Sequence, residues 1–343
     1  MLADPRSVAP TVHTTTMESP QSSSCAPDVS LVVIAYNERA HIGECLESIF
    51  AQRGLDSYEV IVVDDGSVDG TADVVDSLLA DHPQLRLIKH TTNLGRGAAR
   101  RTGQDASSAG TIGFIDSDIR LPSDWLVHVT TALKDADAVS GVAVPDGDCA
   151  VIWRIFRPKP KGMLGYWELT GNNVIFRRSA LELVGWPAQS RLTEDNRLAV
   201  AMVQAGLRVR TLESLRVEHH EAKSYRRTLA YLHETGFNAT EILRDLHRFR
   251  FPDLVWVCWV ASLVGLGVAA GTGAIPWWVA AAVFVGITMA IDVGAMMQRF
   301  YFQKSPIRWL AATLANLPLI TMYLAARTFY APRLLMRRRS ALS

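Results

Sequence analysis

Short runs of β-branched residues alternate with amphipathic helical stretches between Val29 and Asp118. The runs predict strands over 30–36, 60–67, 85–90 and 111–118, and the stretches between them predict helices over 38–52, 71–80 and 97–108. Strand–helix alternation at this spacing is typical of right-handed βαβ units, which build a mostly parallel sheet. The sequence therefore predicts an α/β, Rossmann-like domain over residues 29–222.

Polar and acidic residues follow three of these predicted strands, at 36–38, 64–65 and 116–118. In open parallel sheets the ligand binds at the carboxyl ends of the strands, so these side chains are expected to share one site. Two carboxylates one residue apart, as in Asp116-Ser117-Asp118, can bind one hard cation that also bridges phosphate oxygens. The alternative for this D-x-D is an ordinary solvated turn.

Composition excludes several other classes. The formal net charge is +1, so nothing global indicates a nucleic-acid partner. The four cysteines show no C-x-x-C and no zinc-ligand spacing, which predicts reduced thiols in a cytoplasmic environment. The glycines of 95–100 are only faintly similar to a dinucleotide fingerprint, since they do not follow the first strand, and this argues against hydride transfer.

The C-terminal third has the composition of a membrane region. Residues 254–275 contain no charge, residues 277–297 contain one acid, and a third apolar segment at about 309–330 is interrupted by Asn316 and Pro318. The loop after the second segment is basic, which predicts a multi-pass protein of the cytoplasmic membrane with its catalytic domain in the cytoplasm. A third span would place the arginines of 337–339 outside, so this segment is either a re-entrant hairpin broken at Pro318 or an exception to that rule.

Three further segments complete the predicted organisation. Residues 1–28 are rich in Ser, Thr and Pro and predict a disordered tail. Residues 223–250 mix basic and apolar residues at helical spacing, which indicates either helices in the membrane interface or ordinary amphipathic packing. The membrane region is expected to span 251–335, and a basic tail follows at 336–343.

Several motifs occur in a fixed order along residues 29–235. They are IAYNE (34–38), VVDDGSVDGT (62–71), NLGRGAARRTG (93–103), FIDSD (114–118), GNNVIFRRSALELVGW (171–186), TED (193–195) and VEHH (217–220). Together they resemble the family 2 glycosyltransferases, which are inverting nucleotide-sugar transferases of GT-A fold. The resemblance implies a GT-A domain, a nucleotide-sugar donor and a divalent cation, Mn²⁺ or Mg²⁺.

The resemblance also implies roles for individual residues. Those expected to contact the nucleotide sugar are Tyr36, Glu38, Asp64, Asp65, Arg100 and Asp116. Those expected to hold the metal are Asp118, Asp116 and His219. Asn172, Asn173 and Glu194 are expected near the donor or acceptor sugar. The chain departs from the family's A-R-N pattern because Arg101 replaces the Asn, which leaves open whether Arg100 or Arg101 faces the site.

Thr193-Glu194-Asp195 opens a predicted helix. In an inverting displacement a base takes the acceptor proton as the hydroxyl attacks the anomeric carbon, and a carboxylate held near the sugar suits that role. The resemblance assigns it to Asp195. The alternative is a helix N-cap, because Thr, Glu and Asp all favour that position.

These patterns predict an inverting, metal-dependent glycosyltransferase with a UDP-sugar donor and a hydroxyl acceptor on a lipid or lipid-linked molecule. A polyprenyl-phosphate glycosyltransferase of the dolichol-phosphate-mannose-synthase type is the first alternative. A processive polysaccharide synthase is disfavoured because residues 228–238 contain no Q-x-x-R-W. The last alternative is an inactive, membrane-anchored scaffold protein, and the acidic motifs argue against it. No oligomeric state is predicted.

Overall fold

The computed structural model describes residues 26–54, 57–146, 169, 171–186, 194–220, 225–246, 251–298 and 306–332. The chain divides into two compact units, one of Met1–Val144 with Trp167–His220 and the other of Pro145–Tyr166 with Glu221–Ser343. Nearly all of the predicted disordered tail, Thr193 and the basic tail lie outside the described residues.

The first unit contains eight strands and six α-helices among its described residues. The strands are β1 Val29–Ala35, β2 Tyr58–Asp64, β3 Leu85–Lys89, β4 Thr111–Asp116, β5 Ile119–Arg120, β6 Ala138–Asp146, β7 Asn173–Arg177 and β8 Val209–His220. The helices are α1 Ile42–Phe50, α2 Thr71–Leu78, α3 Arg96–Ala106, α4 Trp125–Ala132, α5 Arg178–Val184 and α6 Glu194–Gln204.

All strands belong to one mixed sheet in the order β3-β2-β1-β4-β7-β6-β8-β5. The four strands predicted from sequence pair in parallel, as expected for βαβ units. Strand β7 pairs antiparallel with β4, and β6 pairs antiparallel with β7. The sheet is thus parallel on one side of β4, its described pairings on the other side are antiparallel, and the α/β prediction is confirmed.

The central strand β1 explains why the sheet is covered on both faces. Every residue of β1 is buried, and alternate side chains point to opposite faces. Leu31 and Val33 join the cluster that includes α1, and Val32 joins the cluster on the other face. On that face α3 approaches closely, because a Cβ at Gly103 would overlap the side chain of Val32.

The second unit contains four described helices, α7 Tyr225–Leu246, α8 Phe251–Gly271, α9 Trp277–Gln298 and α10 Pro306–Tyr330. Two segments are long and apolar enough to cross a membrane, Asp253–Gly271 in α8 and Trp277–Gly294 in α9, and only 11% and 17% of these windows is buried. α10 continues through Pro318 as a single helix. Of the two alternatives that the sequence left open for this segment, the structure does not show the hairpin broken at Pro318.

Candidate active site

The carboxyl ends of β1, β2 and β4 meet at one edge of the sheet. Ala35 of β1 is in register with Asp64 of β2, and Ile34 with Asp116 of β4. Asp65 and Asp118 follow these strand ends, and the predicted acidic groups are thereby brought to a common edge. This confirms the expected position of the carboxylates, while their roles remain predictions.

Arg100 is the most deeply buried cation of this edge, with 1% of its surface exposed. Its Nη2 atom donates to both Asp116 Oδ1, at 3.1 Å, and the backbone oxygen of Gly171, at 3.0 Å. The guanidinium lies 5.2 Å from the ring centre of Trp186. Arg101 instead donates to the backbone oxygen of Trp186 at 3.0 Å. Of the two arginines, Arg100 is therefore the one that contacts Asp116.

Gly171 connects this arrangement to the residue expected to be the base. Its N–H donates to Asp195 Oδ2 at 3.2 Å, while its oxygen accepts from Arg100. A Cβ at this position would lie 3.0 Å from Arg100 Nη2 and 3.2 Å from Asp195 Cβ, so any larger residue would require these neighbours to shift by a few tenths of an ångström. Asp195 is the second residue of α6, and the side chain of its neighbour Glu194 lies outside the described residues.

Asp118 and His219 form the other half of the site. β5 pairs with β8 so that Ile119 is opposite His219, which brings the imidazole beside the preceding turn. His219 Nε2 lies 3.0 Å from Asp118 Oδ2, and the N–H of His220 donates to the oxygen of Asp118 at 2.8 Å. His219, expected to be a metal ligand, is thus placed beside the carboxylate expected to share that ion.

Burial raises the pKa of two carboxyl groups at this edge, and neighbouring carboxylates add to the rise. Burial raises the pKa of Asp116, the charges of Arg100 and Arg96 oppose that rise, and the Asp118 carboxylate adds to it. Burial also raises the pKa of Glu38, where His41 opposes the rise and the charges of Asp118 and Asp116 add to it. A cation bound near these carboxyl groups would favour their ionised forms.

The donor atoms fit a divalent cation that takes further ligands from its substrate. Asp116 and Asp118 supply hard carboxylate oxygens and His219 an imidazole nitrogen, a set that Mn²⁺ accepts. Within the described part of the chain, no three His, Cys, Asp or Glu side chains form a complete metal-binding group. A small divalent ion bound through one or two carboxylates and substrate phosphates does not require one.

Asp65 is engaged mainly with the loop that leads into α3. Its carboxylate accepts from the N–H groups of Leu94 at 2.9 Å and Gly95 at 2.8 Å, and it lies 2.7 Å from His90 Nδ1. Gly95 has φ 92°, a conformation that favours glycine. Contact of Asp65 with the nucleotide sugar therefore stays a prediction, and the geometry shows a carboxylate that fixes the conformation of this loop. His90 was not among the residues predicted for the site, and the only feature of the sequence that could have indicated it is its position directly after β3.

The remaining predicted residues differ in accessibility. Tyr36 is 47% exposed, whereas Asp64 is buried and accepts from the N–H of Ser67 at 3.3 Å. Asn172 is partly exposed, and its backbone oxygen accepts from the N–H of Asp116 at 3.1 Å. Asn173 is fully buried, and its Oδ1 accepts from the N–H of Gly141 at 2.7 Å. Asn172 is the better placed of the two to contact a sugar, and Asn173 holds β6 against β7.

Two stacked histidines next to the site were not expected from the sequence. The rings of His41 and His220 have centres 5.1 Å apart and planes 20° apart. His41 Nδ1 lies 2.9 Å from Glu38 Oε2, and His220 Nε2 lies 3.2 Å from Glu44 Oε2. The i, i+3 spacing of Glu38 and His41 is a local signal, but the stacking joins residues far apart in sequence.

Residues 30–184 match the family model described as Glycosyl transferase family 2. The chain carries a family 2 glycosyltransferase domain. The match includes Arg100, Asp116 and Asp118, whereas Asp195 and His219 lie beyond it. These two residues belong to the same compact unit as the matched segment.

Two curated relatives of the glycosyltransferase domain have lipid-related names. A β-monoglucosyldiacylglycerol synthase of Synechocystis is 28% identical over 192 residues, which is 51% of this chain and 40% of the relative. A dolichyl-phosphate β-glucosyltransferase of Trichomonas vaginalis is 32% identical over 128 residues, 35% of this chain and 38% of the relative. The matches span between 33% and 40% of the first curated relatives.

A solved structure confirms the GT-A fold. The mannosyltransferase PcManGT from Pyrobaculum calidifontis, in complex with GDP-Man and Mn²⁺, superposes with a TM-score of 0.57. The likeness covers 96% of this chain and 90% of PcManGT at 23% sequence identity. It establishes a mixed α/β domain of GT-A type followed by C-terminal helices.

Proposed function

We propose that this protein transfers a sugar, with inversion, from a nucleotide sugar to a hydroxyl of a lipid or lipid-linked acceptor at the cytoplasmic face of a membrane. One observation carries the proposal: the backbone of Gly171 connects Asp195 to the Arg100–Asp116 pair. An acid–base group is thereby held beside the group expected to face the donor. The first donors to test are UDP-sugars.

The part of the site expected to bind the donor contains both basic and acidic side chains. Arg100 holds the Asp116 carboxylate at the end of β4, and His219 holds Asp118 two residues further along. A bound divalent ion would be held by Asp118 and completed by substrate phosphates, with Asp116 and His219 as the further ligands proposed beside it, and it would supply charge stabilisation to the leaving diphosphate. Tyr36, exposed at the end of β1, is available to contact the nucleoside.

Asp195 performs the proton transfer in this proposal. The acceptor oxygen attacks the anomeric carbon on the face opposite the diphosphate, and its proton passes to the Asp195 carboxylate as the carbon–diphosphate bond breaks. The N–H of Gly171 donates to Asp195 Oδ2 and so fixes the orientation of this carboxylate. A positioned base of this kind contributes about 10²–10⁴-fold to the rate.

The proposed acceptor is a lipid alcohol, a glycolipid or a lipid-linked glycan. The name of the Synechocystis relative and the two apolar helices α8 and α9 support it. The name of the Trichomonas relative supports a polyprenyl phosphate instead. A polyprenyl phosphate is already anionic at neutral pH and does not require a general base, so the placement of Asp195 favours the hydroxyl.

The test uses the detergent-solubilised full chain with UDP- and GDP-sugars and a membrane lipid extract, and the product is identified by mass spectrometry. Asp195→Asn keeps the shape of the side chain and removes its basicity, and Asp105→Asn on the exposed face of α3 is the matched control. We expect transfer by Asp195→Asn to fall by about 10²-fold or more while donor binding persists. Near-normal transfer, or a sugar linked to polyprenol through a phosphodiester, would favour the polyprenyl-phosphate alternative. No binding of any nucleotide sugar would support the inactive scaffold.

A further inference from the structure

α10 buries one face and exposes the opposite one. Its buried positions are Thr313, Asn316, Leu319, Ile320, Leu324, Ala326 and Arg327. Its exposed positions are Leu314, Pro318, Ala325 and Phe329, with Leu314 54% and Phe329 75% exposed. At about 100° per residue these four positions fall on one stripe along the helix.

The exposed stripe is apolar and continuous. An open groove lined by Leu317, Pro318, Thr321, Met322 and Ala325 connects its two ends. No charged residue occurs among these positions or at Leu314 and Phe329. A surface of this kind is normally covered by another molecule or by lipid.

The buried face of α10 lies along α7, and the two helices run in the same direction. Tyr225 near the start of α7 donates to the oxygen of Ala315 at 2.9 Å, and Thr240 lies 3.5 Å from the oxygen of Arg327. Between these contacts Gly236 allows close approach, because a Cβ there would lie 2.6 Å from the oxygen of Tyr323. α10 is therefore paired with the helix for which the sequence indicates either an interfacial position or ordinary amphipathic packing.

The C-terminal part of α10 contacts the beginning of α8. Arg327 Nη2 donates to Asp253 Oδ1 at 2.5 Å, and Trp256 Nε1 donates to Thr328 Oγ1 at 3.1 Å. Asp253 is in the first turn of α8. The end of α10 is thus fixed to the beginning of α8.

The other half of the α8–α9 pair is exposed. Val264 and Val268 of α8 are 59% and 60% exposed, and Val283 and Val285 of α9 are 44% and 45% exposed. If α10 crossed a bilayer beside these helices, its sixteen residues from Thr313 to Thr328 would cover about 24 Å of their length. Among the described residues, α8 has no buried residue after Trp259 and α9 has only Ala280 before Thr288, so α10 does not cover this half of either helix.

We infer that α10 lies in the membrane interface, across the cytoplasmic end of α8 and α9, with its apolar stripe facing lipid. The inference rests on the proposed insertion of α8 and α9. Basic residues occur on both sides of α10, at Arg299 and Lys304 before it and at Arg333 and 337–339 after it, with no acidic residue in either flank. A surface helix places both flanks on the cytoplasmic side, where anionic headgroups attract them, whereas a third span would place one flank outside.

The depth of the stripe in the bilayer tests this inference. Single cysteines at Leu314, Met322 and Phe329 are introduced into the full chain after its native cysteines are replaced by serine, and each is labelled with an environment-sensitive fluorophore. The protein is reconstituted into phosphatidylcholine–phosphatidylglycerol vesicles that carry a nitroxide near the headgroup or near the acyl end. Val264→Cys and Val285→Cys, at the centres of α8 and α9, are the controls for the anchor.

We expect the shallow nitroxide to quench all three α10 labels more strongly than the deep one, and to equal extents. The two controls should show the reverse preference. A profile in which Met322 is deep while Leu314 and Phe329 are shallow would establish a third span and overturn the inference. Absence of quenching at α10 alone would show that protein covers the stripe, which also overturns it. Absence of quenching at the controls as well would refute the membrane placement on which it rests.

Discussion

Asp195 and Arg100 bond to the backbone of the same residue, Gly171, from its two sides. Asp195 Oδ2 accepts from the N–H at 3.2 Å, and Arg100 Nη2 donates to the oxygen at 3.0 Å. Arg100 also donates to Asp116. A shift of this one backbone segment would therefore move the proposed base and the donor-side carboxylate together, and this coupling has consequences that can be measured.

Gly171→Ala should impair transfer more than donor binding. The added Cβ would lie 3.0 Å from Arg100 Nη2 and 3.2 Å from Asp195 Cβ, so the segment must shift by a few tenths of an ångström. Small misplacements of reacting groups cost up to about 10²-fold in rate, and we expect kcat to fall by roughly 10- to 100-fold. Gly110→Ala is the control, because a Cβ there meets no atom within 4 Å. Equal kcat for the two variants in steady-state assays would contradict the coupling.

Arg100 and Arg101 should differ sharply in what they contribute to stability. Arg100→Met leaves the Asp116 carboxylate without its buried guanidinium, and breaking such a pair costs about 3 kcal/mol or more. Arg101→Asn removes one bond from an exposed side chain to the oxygen of Trp186 and should change stability by less than about 1 kcal/mol. Thermal unfolding of both variants, followed by intrinsic fluorescence in detergent, measures the difference. Similar melting temperatures would show that the Arg100–Asp116 pair is not important for stability.

Metal removal should abolish transfer. Asp118 is placed beside His219 at the end of β4, where the proposal places the divalent ion. Loss of that charge stabilisation should cost about 4 kcal/mol of transition-state energy, or roughly 10³-fold in rate, for Asp118→Ala as for chelation. Asp81→Ala, at an exposed position, should retain activity. Full activity of the native chain in excess EDTA would rule out the metal assignment.

Glu59 should contribute stability that depends on pH. Burial alone would raise its pKa, but hydrogen bonds from Ser30 and Ser108 and the charge of Arg86 outweigh burial and lower it. A lowered carboxyl pKa stabilises the fold above the ordinary value of about 4.3, and this contribution is lost as the pH falls through the lowered value. We expect Glu59→Gln to destabilise the protein by about 1–2 kcal/mol at neutral pH and by less at pH ~4.

Denaturant unfolding at these two pH values measures the Glu59 effect, and Glu47→Gln, at an exposed position of α1, is the matched control. A destabilisation of Glu59→Gln that does not change between the two pH values would show that the charge of Glu59 makes no contribution.

The parallel strands and their acidic ends were predictable because they are local. A buried parallel strand such as β1 appears in the sequence as an uninterrupted apolar run, and the acids follow it directly. The contacts of Arg100 with Gly171 and of Arg101 with Trp186 join residues 71 and 85 positions apart, and no local pattern encodes them. At Pro318 the local sequence pattern gives a wrong expectation. The local rule predicts a break, but the helix continues because α10 packs along α7, and tertiary contacts outweigh the missing hydrogen bond.

The ion pair between Asp253 and Arg327 also imposes an order on synthesis. The two residues are 74 positions apart, and both side chains are completely buried in the finished protein. At translation rates of about 5–20 residues per second, Asp253 leaves the ribosome roughly 4–15 s before Arg327 does. During that interval the first apolar helix begins with a carboxylate whose guanidinium partner does not yet exist. The helices α8 and α9 therefore reach their final packing only after α10, with Arg327 near its end, has been made.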